Sequence, residues 1–489
     1  MTPSPAPSEK EKDLASIAHV NTVYPPNPID PVLDARVRRK LDYRLLPILT
    51  LIYLFAFIDR SNAGNARVLG MGEDLQLDGY RFNIGLSGFY VTYILLEVPA
   101  NILCKKVGPK VWIPFLAFSF GVITMCMSTV QNYQGFLAAR ICLGIFEAGI
   151  MPGITYTLSC FYCRHELVSR VGLYASVASL SGAFGGLLAS GLTKIPQWGI
   201  IHSWRNIFFF EGIISIVLGV VGFIILPSSP ETAYFLPEAE RQVAITRINR
   251  DLKSQKVEEL NMRYFKRALL NLNTILIALA SFCSLLTMNS MALFVPSLLA
   301  AMGYSGIHSQ LLSVPPYAWA ACVCVTVTFL SDRTKRRGVW ILIVMPFTAT
   351  GFIILLTVHV VGVRYFALFL CLTGAFTASP MFVAWVVDNS AGHTTRAIVA
   401  ATVVGFGNIG GILATWTYTL PDAPKYTKGH ALNLGFACLC LVIVAAAIAS
   451  LKRENNIKAC GGRDDRVRGL TEDETADLGH LHPEFKFTL

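Results

Sequence analysis

The feature that most constrains this chain is a series of apolar stretches, each about 20 residues long. A stretch of that length can cross the hydrocarbon core of a membrane, about 30 Å thick, as an α-helix. Twelve such stretches run approximately over residues 45–66, 84–104, 111–129, 133–161, 171–193, 207–227, 274–301, 310–330, 339–361, 364–388, 397–418 and 431–451. The sequence therefore predicts an all-α membrane protein with twelve transmembrane helices.

Composition supports this prediction. Apolar residues make up 53% of the 489-residue chain and charged residues only 15%, whereas an ordinary soluble protein carries about 25% charged residues. The net charge of +10 does not indicate nucleic-acid binding, because the basic residues lie between apolar stretches instead of clustering on one soluble face. A soluble enzyme or a nucleic-acid binder is a poor fit.

The distribution of basic residues predicts the topology. If the loops alternate between sides, 32 of the 41 Lys and Arg residues lie on the side of both termini. The positive-inside rule places that side in the cytoplasm. No cleavable signal peptide is expected before the first span, so we expect a multi-pass protein of the plasma membrane with both termini cytoplasmic.

A long polar segment, residues 228–273, divides the twelve spans into two sets of six. Basic loops after spans 2 and 8 indicate a weak repeat with a period of six helices, which is typical of transporters built from two similar bundles. The expected organisation is an N-terminal tail (1–44), an N-terminal bundle (45–227), a linker (228–273) with an amphipathic helix around 237–252, a C-terminal bundle (274–451) and a C-terminal tail (452–489). Both tails read as mostly disordered.

Apparent enzyme motifs have simpler explanations. The run from Gly405 to Gly410 fits the G-x-G-x-x-G dinucleotide pattern, but it lies inside an apolar stretch, where glycines let helices pack closely. The twelve cysteines lie mostly within spans and read as packing residues. We therefore expect no enzyme activity, no cofactor and no metal site.

Charged residues inside the spans are the most informative ones. Each costs about 2.5–3.5 kcal/mol or more at the membrane centre unless it is paired or hydrated. All six belong to the first half of the chain: Asp59, Arg60, Glu97, Arg140, Glu147 and Glu211. Ion chemistry is therefore predicted in the N-terminal bundle.

Helical spacing sharpens this prediction. Arg140 and Glu147 lie on one face of span 4, as Asp59 and Asn62 do on span 1. If spans 1 and 4 meet, two arginines and two carboxylates form a charge-neutral cluster facing a cavity. The alternative is a static salt-bridge network that fixes helix packing.

Other polar residues in the spans leave their roles open. Glu97, just before Pro99, fits either a gate or a packing bond. Glu211 lies near a span end and reads as structural. Trp385 and Asn389, one turn apart in span 10, fit either a binding site or an anchor at the membrane interface.

Longer motifs surround these residues. They are Leu45-Leu-Pro47, Phe57-Ile-Asp59-Arg60-Ser-Asn62, Tyr93 to Asn101, Arg140 to Gly149, Trp204-Arg205, Phe210-Glu211-Gly212, Phe235-Leu236, Glu240-Arg241 and Pro421-x-x-Pro424-x-Tyr426. Together they span about residues 40 to 450 and resemble the anion:cation symporter family of the major facilitator superfamily. The pattern is most similar to the fungal branch of allantoate, nicotinate, pantothenate and biotin permeases.

The resemblance implies two six-helix bundles that alternate access and take up small organic anions with protons. It assigns proton coupling to Asp59 and Glu147, and it assigns substrate binding to Arg60, Arg140 and Trp385. We expect Tyr93, Asn389 and Asn408 to contribute to substrate binding as well. Gating is expected at Glu97 and at the Asp332-Arg333 pair. The loop after span 2 lacks the corresponding Asp-Arg pair, which weakens the gating assignment there.

The balance of charges in the cluster predicts a transport mechanism. Protonation of one carboxylate releases an arginine, a substrate anion takes its place, and the neutral loaded carrier closes. The predicted function is proton-coupled uptake of a carboxylate or vitamin-like acid by a monomer, with the lipid bilayer as its surroundings and no nucleic-acid partner. The alternatives are a proton-coupled exporter of weak acids or drugs and, in another class, a membrane nutrient receptor.

Overall fold

The structure is a computed structural model that describes residues 30–253, 266, 268–304, 306–391, 393–469, 475 and 478–489. The first 29 residues of the predicted N-terminal tail and most of 254–267 in the linker lie outside the described residues. The long helices are α1 (Pro31–Ala66), α2 (Arg81–Val107), α3 (Pro109–Met127), α4 (Tyr133–Glu147), α5 (Ile150–Phe161), α6 (Arg164–Leu192), α7 (Trp204–Ile225), α8 (Glu238–Lys253), α9 (Leu272–Ala301), α10 (Gly306–Thr334), α11 (Arg337–Thr357), α12 (Val361–Asp388), α13 (His393–Ala414) and α14 (Thr427–Ala459).

The all-helical membrane fold is confirmed. Among the described residues, eleven helical segments are long and apolar enough to cross a membrane, with α4 and α5 together making one of them. The remaining predicted span corresponds to α13, whose apolar part covers only Ile398–Ala414. Helices α1 to α7 form an N-terminal bundle and α9 to α14 a C-terminal bundle. The bundles meet where α6 packs on α10, α1 on α9 and α2 on α13.

The predicted amphipathic linker helix is present as α8, at Glu238–Lys253. It is attached to an extension of α1 that begins at Pro31, well before the first apolar stretch. Lys40 of this extension donates to Glu240 at 2.6 and 2.8 Å. Arg247 of α8 pairs with Asp34 at 2.6 Å and with Glu166 of α6 at 2.5 Å. These ion pairs lie on the side of the molecule that carries the ends of the described chain, which we call the terminal side.

On the opposite side, which we call the far side, the two bundles are joined by hydrogen bonds. Asn83, near the start of α2, donates to the backbone carbonyl oxygen of Thr415 at 2.5 Å. Ser87, one turn further along α2, shares a 2.6 Å bond with the Thr415 hydroxyl and accepts a bond from the Trp416 indole at 2.9 Å. The far side is therefore closed.

The glycine run in α13 packs helices, as its apolar setting predicts. A Cβ added at Gly410 would lie 2.6 Å from the carbonyl oxygen of Phe282 on α9, and one at Gly407 would lie 2.3 Å from the Leu285 side chain. Both separations are shorter than a carbon atom tolerates, so the two helices approach this closely because the glycines lack side chains.

The expected disorder of the C-terminal tail is wrong for its last residues. Helix α14 continues to Ala459, and residues 478–489 fold back onto the terminal side of the C-terminal bundle. Phe487 is only 5% exposed and belongs to the same apolar core as Trp385 and Leu451. The apolar contact of this ring helps to offset the entropy lost on ordering the segment.

Candidate functional site

Arg60 of α1 occupies the centre of the polar residues predicted from the sequence. Its Nε donates to Oε2 of Glu147 in α4 at 2.8 Å. The guanidinium also lies over three aromatic rings, those of Phe57, Phe89 and Tyr93, at 4.8, 5.2 and 4.5 Å from their centroids. Spans 1 and 4 thus meet through an ion pair, and Tyr93 holds the arginine by a cation–π contact.

Asp59, the neighbour of Arg60, is fully buried. Its Oδ1 accepts a 3.2 Å bond from the Thr124 hydroxyl of α3, and its Oδ2 has no hydrogen-bond partner among the described residues. Glu147 is likewise fully buried, with Oε1 unpartnered in the described part of the chain. Each carboxyl therefore retains one oxygen that could bind a proton without breaking a bond.

Arg140 of α4 is the second cation of the site. Only 1% of it is exposed, and its Nε and Nη2 have no hydrogen-bond acceptor within the described residues. Asp59, Glu147 and Glu211 all lie near enough to stabilise its charge. Arg140 is therefore held in the site by electrostatic attraction to these three carboxyl groups.

Glu211 of α7 also belongs to this cluster, although the sequence suggested a structural residue near a span end. It is 2% exposed, and its Oε2 accepts a 2.6 Å bond from Asn62, one turn beyond Asp59 and Arg60 on α1. The cluster therefore contains three carboxyl and two guanidinium groups, and the expected balance of two against two is wrong. It is neutral when one carboxyl carries a proton.

A small cavity lies beside this cluster, between the two bundles. Its volume is about 10 Å³, roughly enough for one water molecule. Arg60 is the one charged residue among the described residues that line it, and the rest of the wall is aromatic, aliphatic or uncharged polar: Phe57, Ser61, Tyr90, Ala178, Ser181, Gly182, Met288, Asn289, Ala292, Leu293, Tyr317 and Phe376. The guanidinium is thus the one cationic group that the described residues present to the cavity.

Two hydrogen bonds cross between the bundles near the cavity. Tyr90 donates to Oδ1 of Asn289 in α9 at 3.1 Å, and Asn408 of α13 donates to Oε2 of Glu97 in α2 at the same distance. The structure therefore places Asn408 and Glu97 together at the bundle interface. Asn289 also lines the cavity and is not predicted from the sequence, because it lies in none of the sequence motifs.

Trp385 and Asn389 lie away from this cavity, at the terminal side of α12. Both are buried, and both donate to the backbone carbonyl of Thr488 in the C-terminal tail, at 3.1 and 3.0 Å. The Trp385 ring lies against α11, where a Cβ added at Gly338 would come within 2.5 Å of it. The structure does not bring these two predicted substrate ligands to Arg60.

The predicted gate after α10 forms an ion-pair chain within the C-terminal bundle. Asp332 pairs with Arg337 at 2.6 Å, and Arg337 pairs with Asp388 at the end of α12 at 2.5 Å. Arg333 instead lies over the ring of Phe329 at 4.6 Å. The cation that binds Asp332 is therefore Arg337.

The sequence matches known proteins over most of its length. A family profile described as Major Facilitator Superfamily matches residues 49–415. The uncharacterized transporter C1039.04 of Schizosaccharomyces pombe is 33% identical over 470 residues, covering 94% of this chain and 91% of that protein. The MFS-type transporter efuF of Hormonema carpetanum is 34% identical, covering 90% and 89%.

The fold matches solved structures as well. A bacterial homolog of the human lysosomal transporter Spinster, in an inward-facing and unoccupied conformation, superposes with a TM-score of 0.63 at 15% identity, covering 86% of this chain and 97% of that one. A D-xylose-proton symporter gives a TM-score of 0.64 at 13% identity, covering 82% and 97%. At these identities the likeness concerns the fold alone.

Proposed function

Because the chain belongs to the major facilitator superfamily, and is therefore a multi-pass membrane transporter and not an enzyme, we propose that it couples uptake of a small organic anion to protons. The observation that carries this proposal is the Arg60–Glu147 ion pair at the edge of a cavity between the bundles. If the titratable partner gives up this cation on protonation, a substrate anion can take the partner's place without adding an uncompensated charge.

The proton step follows from the charges. With one of its three carboxyls protonated, the cluster of Asp59, Glu147, Glu211, Arg60 and Arg140 is neutral. A substrate anion would then leave a negative charge in a buried, poorly solvated site, which is strongly unfavourable. Protonation of a second carboxyl, Glu147, frees Arg60 and restores neutrality when the anion binds.

Arg60 and Arg140 take different parts in this proposal. Arg60 lines the cavity and presents a planar donor group to a carboxylate. Arg140 is almost fully buried behind it and compensates the charge of Asp59 and Glu211. Tyr93 keeps Arg60 in place through its ring, and Asp59 and Glu147 are the proton-coupling carboxyls.

The cavity as it stands has room for about one water molecule, so a substrate would enter only when the bundles part and the cavity widens. The side chains around it then limit the class of substrate that can bind. Aromatic and aliphatic side chains such as Phe57, Met288, Tyr317 and Phe376 surround Arg60, so a bound molecule keeps little of its hydration there. This favours an acid with one carboxylate and an apolar body, consistent with the resemblance to nicotinate and biotin permeases. Trp385 and Asn389 are not included, because the C-terminal tail holds their polar groups.

We also propose that the terminal side is cytoplasmic, because the basic residues concentrate there. A cysteine introduced at Gln242 of α8, in cells that express the protein at the plasma membrane, should resist an impermeant thiol reagent applied outside. Reaction with the reagent from outside would show that the terminal side faces outwards, opposite to the proposed topology.

Reconstituted proteoliposomes with an acidic exterior test the transport function. We expect a radiolabelled monocarboxylate chosen by a competition screen to accumulate inside while the external medium becomes more alkaline. Accumulation driven only by the opposite proton gradient would indicate an exporter. Binding without flux would indicate a receptor.

A further inference from the structure

The ends of three helices on the terminal side of the C-terminal bundle form a surface that binds the last residues of the chain. Asn389, which follows α12, uses both atoms of its amide. Its Oδ1 accepts from the Thr488 backbone N–H at 2.8 Å, and its Nδ2 donates to the Thr488 carbonyl at 3.0 Å. The Trp385 indole donates to the same carbonyl at 3.1 Å. Both backbone hydrogen-bonding groups of Thr488 are therefore bound by side chains at the end of α12.

Asn455 of α14 binds the preceding residue in the same way. Its Nδ2 donates to the Phe487 carbonyl and its Oδ1 accepts from the Phe487 N–H, both at 2.9 Å. The Phe487 ring is buried in the apolar core of the bundle. Two asparagines on different helices thus bind two successive residues of an extended peptide through its backbone, as a neighbouring β-strand would.

Lys458, one turn beyond Asn455, supplies a third anchor. The residue is 8% exposed, and its ammonium donates to the carbonyl oxygens of His480, His482 and Phe485, at 2.8, 2.9 and 3.0 Å. All three of its protons are used, and the rings of Phe485 and Phe487 lie 5.5 and 4.5 Å from the nitrogen. A buried cation that is stabilised mainly by carbonyl oxygens of the tail indicates a site built for this segment.

The segment also reaches the start of the bundle. The His480 ring, 4% exposed, lies 3.1 Å from the side-chain amide of Asn271, the residue that caps α9. Residues 480–488 therefore connect the terminal-side ends of α9, α12 and α14.

This surface is continuous with the gate. Trp385 lies between the tail and Gly338 of α11. Asp388, next to Asn389, is the partner of Arg337, which also binds Asp332. Both the tail and the ion-pair chain therefore hold the end of α12 in its position.

We propose that this surface is a peptide-binding site whose ligand is the chain's own C-terminal segment, and that docking of the segment stabilises the conformation closed on the far side. Alternating access proceeds by rocking or gating of one bundle against the other, and gating at the terminal side would move the ends of α9, α12 and α14 relative to one another. A segment that joins three of them in the far-side-closed conformation favours that conformation by the contacts it makes there. This proposal rests on the fold and the tail contacts, and it does not depend on the substrate or on proton coupling.

Docking itself can be measured in the purified full chain in nanodiscs by digestion with a carboxypeptidase, followed by mass spectrometry of the intact protein. We expect Asn389→Ala and Asn455→Ala to accelerate loss of the last residues about tenfold, because each change removes backbone hydrogen bonds to the tail. The matched control is Asn456→Ala, which changes an exposed neighbour on the same helix turn and should leave the rate unchanged. Equal rates in all four proteins would overturn the docking site.

The effect on conformation can be measured at the far side. Thr415 is fully buried in the closed contact, so a maleimide should label Thr415→Cys only when that contact opens. Mass spectrometry of the labelled peptide removes the need to replace the native cysteines. We expect Phe487→Ala, combined with Thr415→Cys, to raise the labelling rate severalfold, and Lys486→Ala, at an exposed neighbour in the tail, to leave it unchanged.

A synthetic peptide of residues 478–489, at ~1 mM to match the effective concentration of a tethered segment, should return the Phe487→Ala protein to slow labelling. This rescue separates release of the tail from misfolding. A protein whose tail is digested rapidly but whose Thr415→Cys labelling does not change would show that the docked tail has no influence on the gate, and would overturn the proposal.

Discussion

In the N-terminal bundle, α1, α4 and α7 bury the side chains of Asp59, Arg140, Glu147 and Glu211, each at most 2% exposed. In the C-terminal bundle, the Lys, Arg, Asp and Glu side chains that are buried among the described residues are Arg337 and Lys458, and both lie at the terminal side. Its membrane-spanning helices bury neutral groups instead, such as Ser290 and Asn433. Two bundles of the same architecture therefore bury different kinds of side chain: ionisable groups in the N-terminal bundle and neutral polar groups in the membrane-spanning helices of the C-terminal bundle.

This difference indicates a division of function between the two bundles. Among the described residues of the two bundles, the buried carboxyls that protons can neutralise lie in the N-terminal one, so that bundle can respond to a proton gradient. The other bundle contributes the opposite wall of the cavity and hydrogen bonds such as Asn289 to Tyr90. On the proposed function, substrate binding would depend on both bundles, whereas coupling to protons would depend on the N-terminal bundle.

The sharpest test of this division is Glu147→Gln. The amide resembles the protonated carboxyl in size and hydrogen bonding, but it cannot titrate. We expect proton-driven accumulation of substrate to be abolished, because the emptied carrier cannot release a proton and reset. Exchange of internal for external substrate should persist and should lose its pH dependence.

Glu73→Gln is the matched control, since Glu73 is exposed in a far-side loop and the same chemical change there should leave accumulation intact. Normal proton-driven accumulation in Glu147→Gln would move the coupling site to Asp59 or Glu211. Both lie in the N-terminal bundle. Only proton-driven accumulation that survives replacement of Asp59, Glu147 and Glu211 together would therefore contradict the assignment of proton coupling to that bundle.

Arg60→Lys tests the anion-binding group. Lysine keeps the charge but loses the planar group that can donate two parallel bonds to a carboxylate and stack on the rings of Phe57 and Tyr93. We expect the affinity for the monocarboxylate to fall about 10- to 100-fold, corresponding to a charge-assisted hydrogen bond. Competition uptake measures this change.

The control for that substitution is Arg333→Lys, in the last turn of α10, where affinity should not change. Loss of the folded protein in Arg60→Lys, with no change of affinity in what remains, would support a static salt bridge instead of a substrate ligand.

Tyr90→Phe tests the contribution of the C-terminal bundle to closure. It removes the 3.1 Å bond to Asn289 across the cavity, whose net contribution is about 1 kcal/mol. We expect maleimide labelling of Thr415→Cys to become a few-fold faster while proton coupling is kept. Tyr43→Phe, at a side chain exposed on the terminal side, should change neither property, and a coupling defect in Tyr90→Phe would contradict the division between the bundles.

The sequence predicts those features that depend on local pattern. Apolar length and periodicity predict the helices, and i to i+7 spacing places Arg140 and Glu147 on one face of α4. The ion pair of Arg60 with Glu147 is the arrangement expected if spans 1 and 4 meet. The linker helix is also correctly predicted, because its polar and apolar residues alternate with helical period.

Features that depend on how helices rotate against each other are missed. Glu211 joins the cluster because α7 turns it towards Asn62, and no pattern within α7 indicates that direction. The tail is missed because it is polar overall, which is typical of disorder. A signal was nevertheless present in Phe485-Lys-Phe487, since two aromatic residues in an otherwise polar segment can anchor it to an apolar core.

The smallest expected effect comes from the neutral hydrogen bonds of the C-terminal bundle. Ser290 of α9 is fully buried, shares a 2.7 Å bond with the Thr417 hydroxyl and accepts from Asn433 of α14 at 3.0 Å. In Ser290→Ala both partners keep another bond, since Asn433 also donates to the Gly429 carbonyl and Thr417 to the Ala414 carbonyl. We therefore expect a loss of only about 1 kcal/mol in the free energy of unfolding, with substrate affinity and proton coupling unchanged.

The corresponding change in the N-terminal bundle is Asn62→Ala, which removes the donor to Glu211. There a carboxyl, not a hydroxyl, loses its partner in a buried site, which costs about 1–3 kcal/mol or more. Because Glu211 belongs to the charge cluster, the pH dependence of uptake should shift as well. Thermal unfolding and pH profiles of the two variants therefore compare the bundles directly. A shifted pH profile in Ser290→Ala, or an unshifted one in Asn62→Ala, would mean that proton coupling does not follow the distribution of buried charge.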